Sequence, residues 1–225
     1  MHLTIGTVGV HQVDGALAWE AGLAIDADGS PHAYAPAGSM LPARDYLANA
    51  GRSGHWWGVV TDNGRADGEP ILQGAGDPAP GYLVSPTALV DKTRHVRDPR
   101  RYVDSDTVPY LAVPRELREQ GGVRMGDVAL VAYWPSAKLQ AAIVADAGPA
   151  GKLGEGSIAL AERLGIPSSA KDGGASRHVA AVLWPGSRRE PRWPRTAEDI
   201  EAQVADLLAS WGGVERLRKV LAGAS

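Results

Sequence analysis

Apolar positions along this chain fall mostly into short, nearly continuous runs typical of β-strands, separated by turn residues. Such runs occupy residues 3–13, 17–25, 128–133, 139–145 and 179–184, with weaker ones at 59–60, 70–73 and 82–85. Turns are indicated at Asp14-Gly15 and at 62–64, where Asp-Asn-Gly is a strong hairpin signal. Residues 128–133 and 139–145 are predicted to pair as a hairpin. The pattern as a whole predicts a small β-barrel with additions.

Helical spacing is confined to a few segments. Residues 158–164 predict a helix that begins after the N-cap candidate Ser157 and ends at Gly165. Residues 43–50 predict a shorter one. Beyond Thr196, a capping-box-like start precedes an amphipathic stripe, and Gly212-Gly213 separates it from a second short helix. This tail predicts a helical hairpin that either packs on the barrel or offers a surface to a protein partner. The stripe consists of Ile200, Val204, Leu207, Leu208 and Trp211.

Composition narrows the classes of protein that fit. The 225 residues include 44% hydrophobic residues and no cysteine, so disulfides and thiol chemistry are excluded. A net charge of −3 predicts no binding to nucleic acid or to an anionic membrane surface. The sequence contains no apolar stretch long enough for a transmembrane helix. The first ten residues lack the basic flank and cleavage site of a signal peptide.

The segment 143–157, read I-V-A-D-A-G-P-A-G-K-L-G-E-G-S, carries the candidate chemistry. A strand delivers Asp146 into a glycine-rich loop, and Glu155 follows nine residues later. Paired carboxylates are what glycosidic-bond hydrolysis requires, one as acid and the other as base or nucleophile. Structural roles are the alternative, because Asp after a strand often caps a turn and Glu between glycines is often solvated.

Two short patterns resemble a phosphate-binding loop and a calcium-binding loop, but the residues at key positions exclude both. Gly148, Gly151 and Lys152 resemble part of a phosphate loop, but the spacing is two residues short and Leu153 replaces the Ser or Thr. The D-x-D-G start at Asp26 resembles a calcium loop, but Ala37 stands where the bidentate Glu belongs. The histidines form no metal-binding motif. We therefore expect neither a metal nor a cofactor.

Several longer motifs, in order, resemble glycoside hydrolase family 75, the fungal-type chitosanases, over roughly residues 23 to 187. They are D-x-D-G-S-P-x-A-Y (26–34), D-Y-L-A-N-A-G-x-x-G-x-W-W-G-V-V-T-D-N-G (45–64), G-D-P-A-P-G-Y-x-V-S (76–85), R-Y-V-D-S (101–105), V-A-D-A-G-P-x-G-K-L-G-E-G-S-I-A-L-A (144–161), L-G-I-P-S-S (164–169) and W-P-G-S (184–187).

This resemblance implies an endo-acting hydrolase that cleaves β-1,4 links between glucosamine units of chitosan with inversion. The family's essential Asp and Glu fall on Asp146 and Glu155. The loop is also similar to double-psi β-barrels, which implies a mainly β fold with a six-stranded double-psi barrel, a few short helices and the C-terminal helical hairpin. Residues 1–187 would form the catalytic domain, and residues 188–225 a basic linker with the helical extension.

The sequence allows two assignments of the acid and base roles to Asp146 and Glu155. Glu has the higher reference pKa, which assigns Glu155 as acid and Asp146 as base. A helix N-terminus and Lys152 near Glu155 would favour its ionised form and swap the roles. Because chitosan is a polycation below neutral pH, its cleft should present carboxylates and aromatic rings, although each residue can instead be a turn, core or cap residue. The candidates for substrate binding are Asp26, Asp28, Tyr34, Trp56, Trp57 and Asp62.

Three features depart from the family pattern. No secretion signal is visible, although the resemblance implies an extracytoplasmic enzyme. The tail from Thr196 is not part of the family pattern. Ala159 stands where many double-psi barrels carry an aspartate. A peptidoglycan glycosidase, exported as an antibacterial effector, is a second hypothesis. A sugar-binding barrel without catalysis is a third. In every case the expected partner is a polysaccharide.

Overall fold

The computed structural model describes residues 2–223. The strands are β1 His2–Ile5, β2 Val8–Val13, β3 Ala16–Asp26, β4 Gly51–Arg52, β5 His55–Trp56, β6 Tyr110–Val113, β7 Val128–Tyr133, β8 Lys138–Ala147, β9 Glu155–Ser157 and β10 Ala175–Trp184. The α-helices are α1 Arg115–Glu119, α2 Ile158–Leu164, α3 Ala197–Trp211 and α4 Gly213–Ala222. Three 3₁₀ turns lie at Leu47–Ala50, Pro99–Arg101 and Trp134–Ser136.

Six of the strands close into a barrel. The order around it is β3, β10, β7, β8, β6 and β9, and the ring closes because β9 also pairs with β3. The β3–β9 and β6–β8 pairs are parallel, whereas the other four are antiparallel. The hairpin of β1 and β2 extends the sheet beside β3. The protein is therefore mainly β with a closed six-stranded barrel, as predicted.

Alternating side chains give the barrel wall two apolar faces. On β7, Ala129 and Val131 belong to the cluster that fills the barrel, which draws on β3, β6, β8 and β10 as well. Val128 and Leu130 point to the opposite face and meet residues of α3 and α4. This second face explains why the strands read as nearly continuous apolar runs rather than strict alternation.

The C-terminal helices pack on the outside of the barrel. Ile200, Val204, Trp211 and Leu217 are buried in the outer cluster, and the Trp211 indole N–H donates to the Val13 carbonyl at 3.0 Å. The start of α3 is capped by Thr196, whose hydroxyl accepts from the Asp199 N–H. The predicted stripe is thus core, and packing rather than a free face accounts for it.

Residues 27–109 leave the barrel between β3 and β6 and form a largely irregular layer. The strands expected at 59–60, 70–73 and 82–85 reduce to isolated bridges, Thr61 with Pro70 and Leu72 with Leu83. Prolines cannot donate ladder hydrogen bonds and glycines favour turns, so this composition does not sustain regular strands. Small apolar clusters around Tyr34, Tyr82 and Tyr102 hold the layer together.

Two local predictions were wrong in detail. The run 3–13 is not one strand, because it turns back at Gly6, which has a φ of 59° and lies against the Gly151 backbone. A side chain on Gly6 would bring its Cβ within 2.4 Å of the Gly151 carbonyl oxygen. The helix expected at 43–50 shrinks to the 3₁₀ turn Leu47–Ala50.

The helix predicted after the candidate loop is confirmed at both ends. Helix α2 spans Ile158–Leu164; Ser157 accepts from the Leu160 N–H, and Gly165 ends it with a left-handed φ of 74°. The hairpin of β7 and β8 is also confirmed, with Val128 paired to Ile143. Within residues 2–223, none of the helices combines the length and apolar character needed to cross a membrane.

Candidate active site

Asp146 and Glu155 flank the same residue of the barrel wall. On one side, Ala112 of β6 pairs with Asp146 of β8; on the other, it pairs with Glu155 of β9. Both carboxylates are therefore carried by strands, whereas the sequence predicted a loop. Only the stretch between them, 148–154, is irregular. Two strand spacings of about 4.8 Å put their backbones about 10 Å apart.

A β-bulge places Asp146 in this position. Leu111 pairs with Val144 but Ala112 pairs with Asp146, so β8 carries one extra residue, Ala145, at this point. Bulges bend a strand and change the direction of its side chains. Without the extra residue, Ala145 would lie beside Ala112. The bulge thus brings Asp146 to the outer face of the barrel beside Glu155.

The end of β3 brings Asp26 to the same face. Parallel pairing sets Ala24 beside Glu155 and Asp26 beside Ser157. Residues side by side on adjacent strands share a face, and alternate residues of one strand do so too. The chain then turns back so that the Asp28 N–H donates to Asp26 Oδ1 at 2.8 Å. Sequence motifs far apart in the chain thus converge on one surface.

Three of these acids form a tight cluster. Asp26, Asp28 and Asp146 are half-buried, and one carboxylate oxygen of each lies within 4.8 Å of the others. Among residues 2–223, they form the group of acids close enough to share a cation. Three mutually repelling carboxylates also retain protons readily, and this is the chemistry that general acid catalysis uses.

Hydrogen bonds hold each acid of the cluster in place. The Tyr34 hydroxyl donates to Asp28 Oδ1 at 2.8 Å, and Ser85 Oγ lies 3.0 Å from the same oxygen. Asp146 Oδ1 accepts two backbone N–H groups, from Ala88 at 3.0 Å and Ala147 at 2.8 Å. A proton on Asp146 is consequently carried by Oδ2, on the side of the carboxyl group not used by these two donors.

Burial and mutual repulsion raise the pKa of all four acids. For Asp146 they raise the pKa to about 8: burial is the largest cause, followed by Asp26, and the two backbone N–H groups oppose them. Burial and then Asp26 raise the pKa of Glu155 to about 7, against the lowering effect of Lys152. Burial also raises the pKa of Asp26, and it raises that of Asp28 well above the ordinary value.

Two buried residues that sequence reasoning missed support the cluster from behind. The Ser105 hydroxyl donates to the Asp26 carbonyl and accepts from the Ile158 N–H at 3.0 Å, which ties β3 to the start of α2. The Tyr110 hydroxyl donates to the Asp28 carbonyl at 2.9 Å. Ser105 is the last residue of the R-Y-V-D-S motif, which the sequence shows. The role of Ser105 could not be predicted, because its partner Asp26 lies 79 positions away in the sequence.

The other predicted substrate contacts separate into two groups. Tyr34 contacts the acid cluster through its hydrogen bond to Asp28. Trp56 packs against the small apolar cluster that contains the Tyr34 ring. Trp57 is 61% exposed, with its indole N–H donating to the Asn49 carbonyl, whereas Trp56 is half-buried. Asp62 lies in an exposed turn, where Oδ1 accepts the Glu69 N–H at 3.0 Å. The structure gives Asp62 a turn role rather than a place among the clustered acids.

The cluster is expected to cost stability at alkaline pH. Unfolded Asp146 would lose its proton near 3.8 but folded Asp146 holds it to about 8, so stability present below pH 4 is lost as pH rises through 8. Asp146→Asn keeps the protonated shape without the charge. One pKa unit corresponds to about 1.4 kcal/mol, and 1 kcal/mol moves the Tm of a chain this size by about 2–4 °C. The rise of about four pKa units therefore predicts that the variant melts more than about 10 °C higher than wild type at pH 9, with little difference at pH 4, by calorimetry.

Asp67→Asn provides the matched control for this prediction. Asp67 is exposed and pairs with Arg65 at 3.2 Å on the surface. Its replacement is expected to shift the Tm equally, and slightly, at both pH values. An Asp146→Asn effect that is the same at pH 4 and pH 9 would show that Asp146 does not retain its proton in the folded protein.

Comparison with known proteins adds no further assignment. No protein-family model matches this chain, and no curated protein matches it significantly.

Proposed function

We propose that this protein is a glycoside hydrolase that cleaves β-1,4 links in an amino-sugar polymer, with chitosan as its substrate, by an inverting mechanism. The observation that carries the proposal is the pairing of Asp146 and Glu155 with opposite sides of Ala112. Their backbones lie about 10 Å apart on one face. Inverting glycosidases hold their two carboxyl groups about 6.5–9.5 Å apart, which leaves room for a water molecule.

The pKa order supports one assignment of roles. Asp146, with a pKa of about 8, retains a proton at neutral pH and is proposed to donate it to the leaving oxygen. Glu155, with a pKa of about 7, ionises first and is proposed to take a proton from the attacking water. This reverses the assignment from reference pKa values, because the stronger burial of Asp146 outweighs the intrinsic difference between Asp and Glu.

In the proposed reaction, water attacks the anomeric carbon from the face opposite the leaving sugar. The bond from this carbon to the glycosidic oxygen breaks while the Asp146 proton moves to that oxygen. Glu155 receives the proton of the water, so atoms and charge balance over the cycle once a proton returns from Glu155 to Asp146 through solvent. Asp26 and Asp28 offer carboxyl oxygens that can accept hydrogen bonds from the amine of a glucosamine unit, and the ionised Glu155 favours an oxocarbenium-like transition state.

The motif resemblance and the barrel support the same family of folds. Two parallel pairs, β3–β9 and β6–β8, interrupt an otherwise antiparallel ring. This arrangement is compatible with the double-psi connection that we propose for the barrel. The C-terminal helices bury their stripe against the barrel, so a protein partner bound through them would use their outward residues.

A substrate panel tests the proposal. Reducing-end release is measured on highly deacetylated chitosan, chitin and purified peptidoglycan, and the anomer formed first is identified by proton NMR. We expect chitosan to be cleaved with the α-anomer released first. Cleavage of peptidoglycan alone would keep the catalytic pair but change the substrate. Binding without turnover of any polymer would favour the non-catalytic sugar-binding barrel, and release of the β-anomer would contradict inversion.

A further inference from the structure

A cavity of about 280 Å³ opens directly beside Glu155. Glu155 and Ala24, neighbours across β9 and β3, form one side of it. The turn between β1 and β2 and the loop 149–154 form the rest. The cavity thus borders the proposed catalytic base on the side of the barrel to which the N-terminal hairpin has been added.

The walls of this cavity are mainly apolar and fixed by the core. Ile5 is buried in the cluster that fills the barrel, and Val8 and Leu153 pack against the same cluster. The turn at Gly6 touches the Gly151 backbone, which joins the two sides of the cavity. A site built in this way suits a flat sugar ring and a methyl-bearing substituent better than a mobile charged group.

The charge of the cavity differs from that of the acid cluster. Among the described residues that line it, the ionisable ones are Glu155 and Lys152. Lys152 is exposed, and its positive charge acts on Glu155. A glucosamine unit placed here with a protonated amine would meet this ammonium group, whereas an N-acylated unit is neutral. Asp26, Asp28 and Asp146, whose carboxyl oxygens can accept hydrogen bonds from an amine, belong to the neighbouring cluster.

The cavity continues into a second groove suited to further sugar units. This groove, of about 360 Å³, shares Ala24, Leu153 and Gly154 with the first cavity. It runs along Gly173 and Gly174, where backbone atoms form much of the surface. The two depressions therefore adjoin one another, and the second offers space for a further sugar unit beside the first.

We propose that the cavity beside Glu155 is a subsite for an N-acylated amino sugar, from which Lys152 excludes a unit with a free protonated amine. The inference rests on the proposed glycoside hydrolase function and refines its substrate to a partly acetylated polymer. Such a unit can come from acetylated chitosan or from peptidoglycan, where its sugar also carries a lactyl carboxylate that could pair with Lys152. In both, the N-acyl group is the shared feature that the cavity recognises.

The experiment is the analysis of the ends that cleavage creates. Chitosan with about half of its units acetylated at random is digested at about pH 6, where its free amines are protonated, by wild type and by Lys152→Glu, and the new reducing and non-reducing ends are identified by mass spectrometry. We expect one of the two new ends in wild type to be enriched about 5-fold in N-acetylglucosamine. Surface charge interactions of up to about 1 kcal/mol give this magnitude. Lys152→Glu is expected to remove the enrichment.

Lys219→Glu is the control, since Lys219 is exposed on α4, and it should leave the end composition of wild type unchanged. The composition of the ends is a ratio, so a change in the pKa of Glu155 that slows the reaction does not alter it. Glycan strands of peptidoglycan form the second arm: Lys152-dependent cleavage with a lactyl-bearing sugar at the same end would identify that source.

Turnover of chitosan with no end bias, or with a bias that survives Lys152→Glu, would overturn the subsite and leave the glycosidase proposal standing. Absence of turnover on every polymer would overturn both. The two failures are therefore distinguishable in one experiment.

Discussion

Asp146→Asn and Glu155→Gln are each expected to lower the turnover of chitosan by about 10³-fold, the usual scale for losing a positioned general acid or base. Each substitution removes a titrating group but keeps its size. Asn at 146 can still accept the Ala88 and Ala147 N–H groups through its side-chain oxygen, so the bulge should be preserved. The measurement is kcat on short chitosan oligomers, with circular dichroism to show that the variants fold.

Asp67→Asn and Glu119→Gln are the matched controls. Both native residues lie on the surface, where Asp67 pairs with Arg65 and Glu119 with Arg115. Each control makes the same chemical change and is expected to keep wild-type turnover. A variant at 146 or 155 that keeps more than a tenth of wild-type activity would remove that residue from the proposed catalytic pair.

The same two variants separate acid from base. An aryl glycoside with a good leaving group departs without being protonated, so loss of the acid affects its cleavage far less than that of chitosan. Azide can attack without being deprotonated, so it can substitute for base-activated water and yield an inverted glycosyl azide. We expect Asp146→Asn to retain activity on the aryl glycoside and Glu155→Gln to be rescued by azide. The opposite pattern would restore Glu155 as acid and Asp146 as base.

The parts of the fold that the sequence predicts well are those with dense local signals. The α2 helix could be located to the residue because Ser157 and Gly165 each act on adjacent backbone groups. The β7–β8 hairpin follows from two adjacent apolar runs. The irregular layer 27–109 was harder, since its few ladder hydrogen bonds join distant residues, such as the Val60 N–H and the Val84 carbonyl.

The candidate site shows the same limit. Asp146 and Glu155 could be found from motif and spacing, but their strand setting depends on Ala112, more than thirty residues away from either in the sequence. The bulge at Ala145 is equally invisible locally, because it is a mismatch between two strands. The pKa order of the two acids also could not be predicted, since burial by the layer 27–109 and repulsion by Asp26 decide it.

The pH dependence of catalysis should be narrow and centred near neutrality. Activity requires a proton on Asp146 and none on Glu155, and the pKa values of about 8 and about 7 set the two limits. We expect kcat to be highest between about pH 7 and 8 and to fall about tenfold for each pH unit beyond either limit. The two groups interact, so the limits belong to the pair.

Lys152→Met distinguishes the two limits. The positive charge of Lys152 lowers the pKa of Glu155, so its removal should move the acid limit to higher pH and leave the alkaline limit, set by Asp146, in place. The measurement is kcat from pH 5 to 9 on short oligomers at saturation, which keeps titration of the free substrate amines out of the result. If Glu155 were the acid, the substitution would instead move the alkaline limit. A wild-type optimum below about pH 5 would mean that the cluster does not hold its protons, and the proposed source of the general acid would be lost.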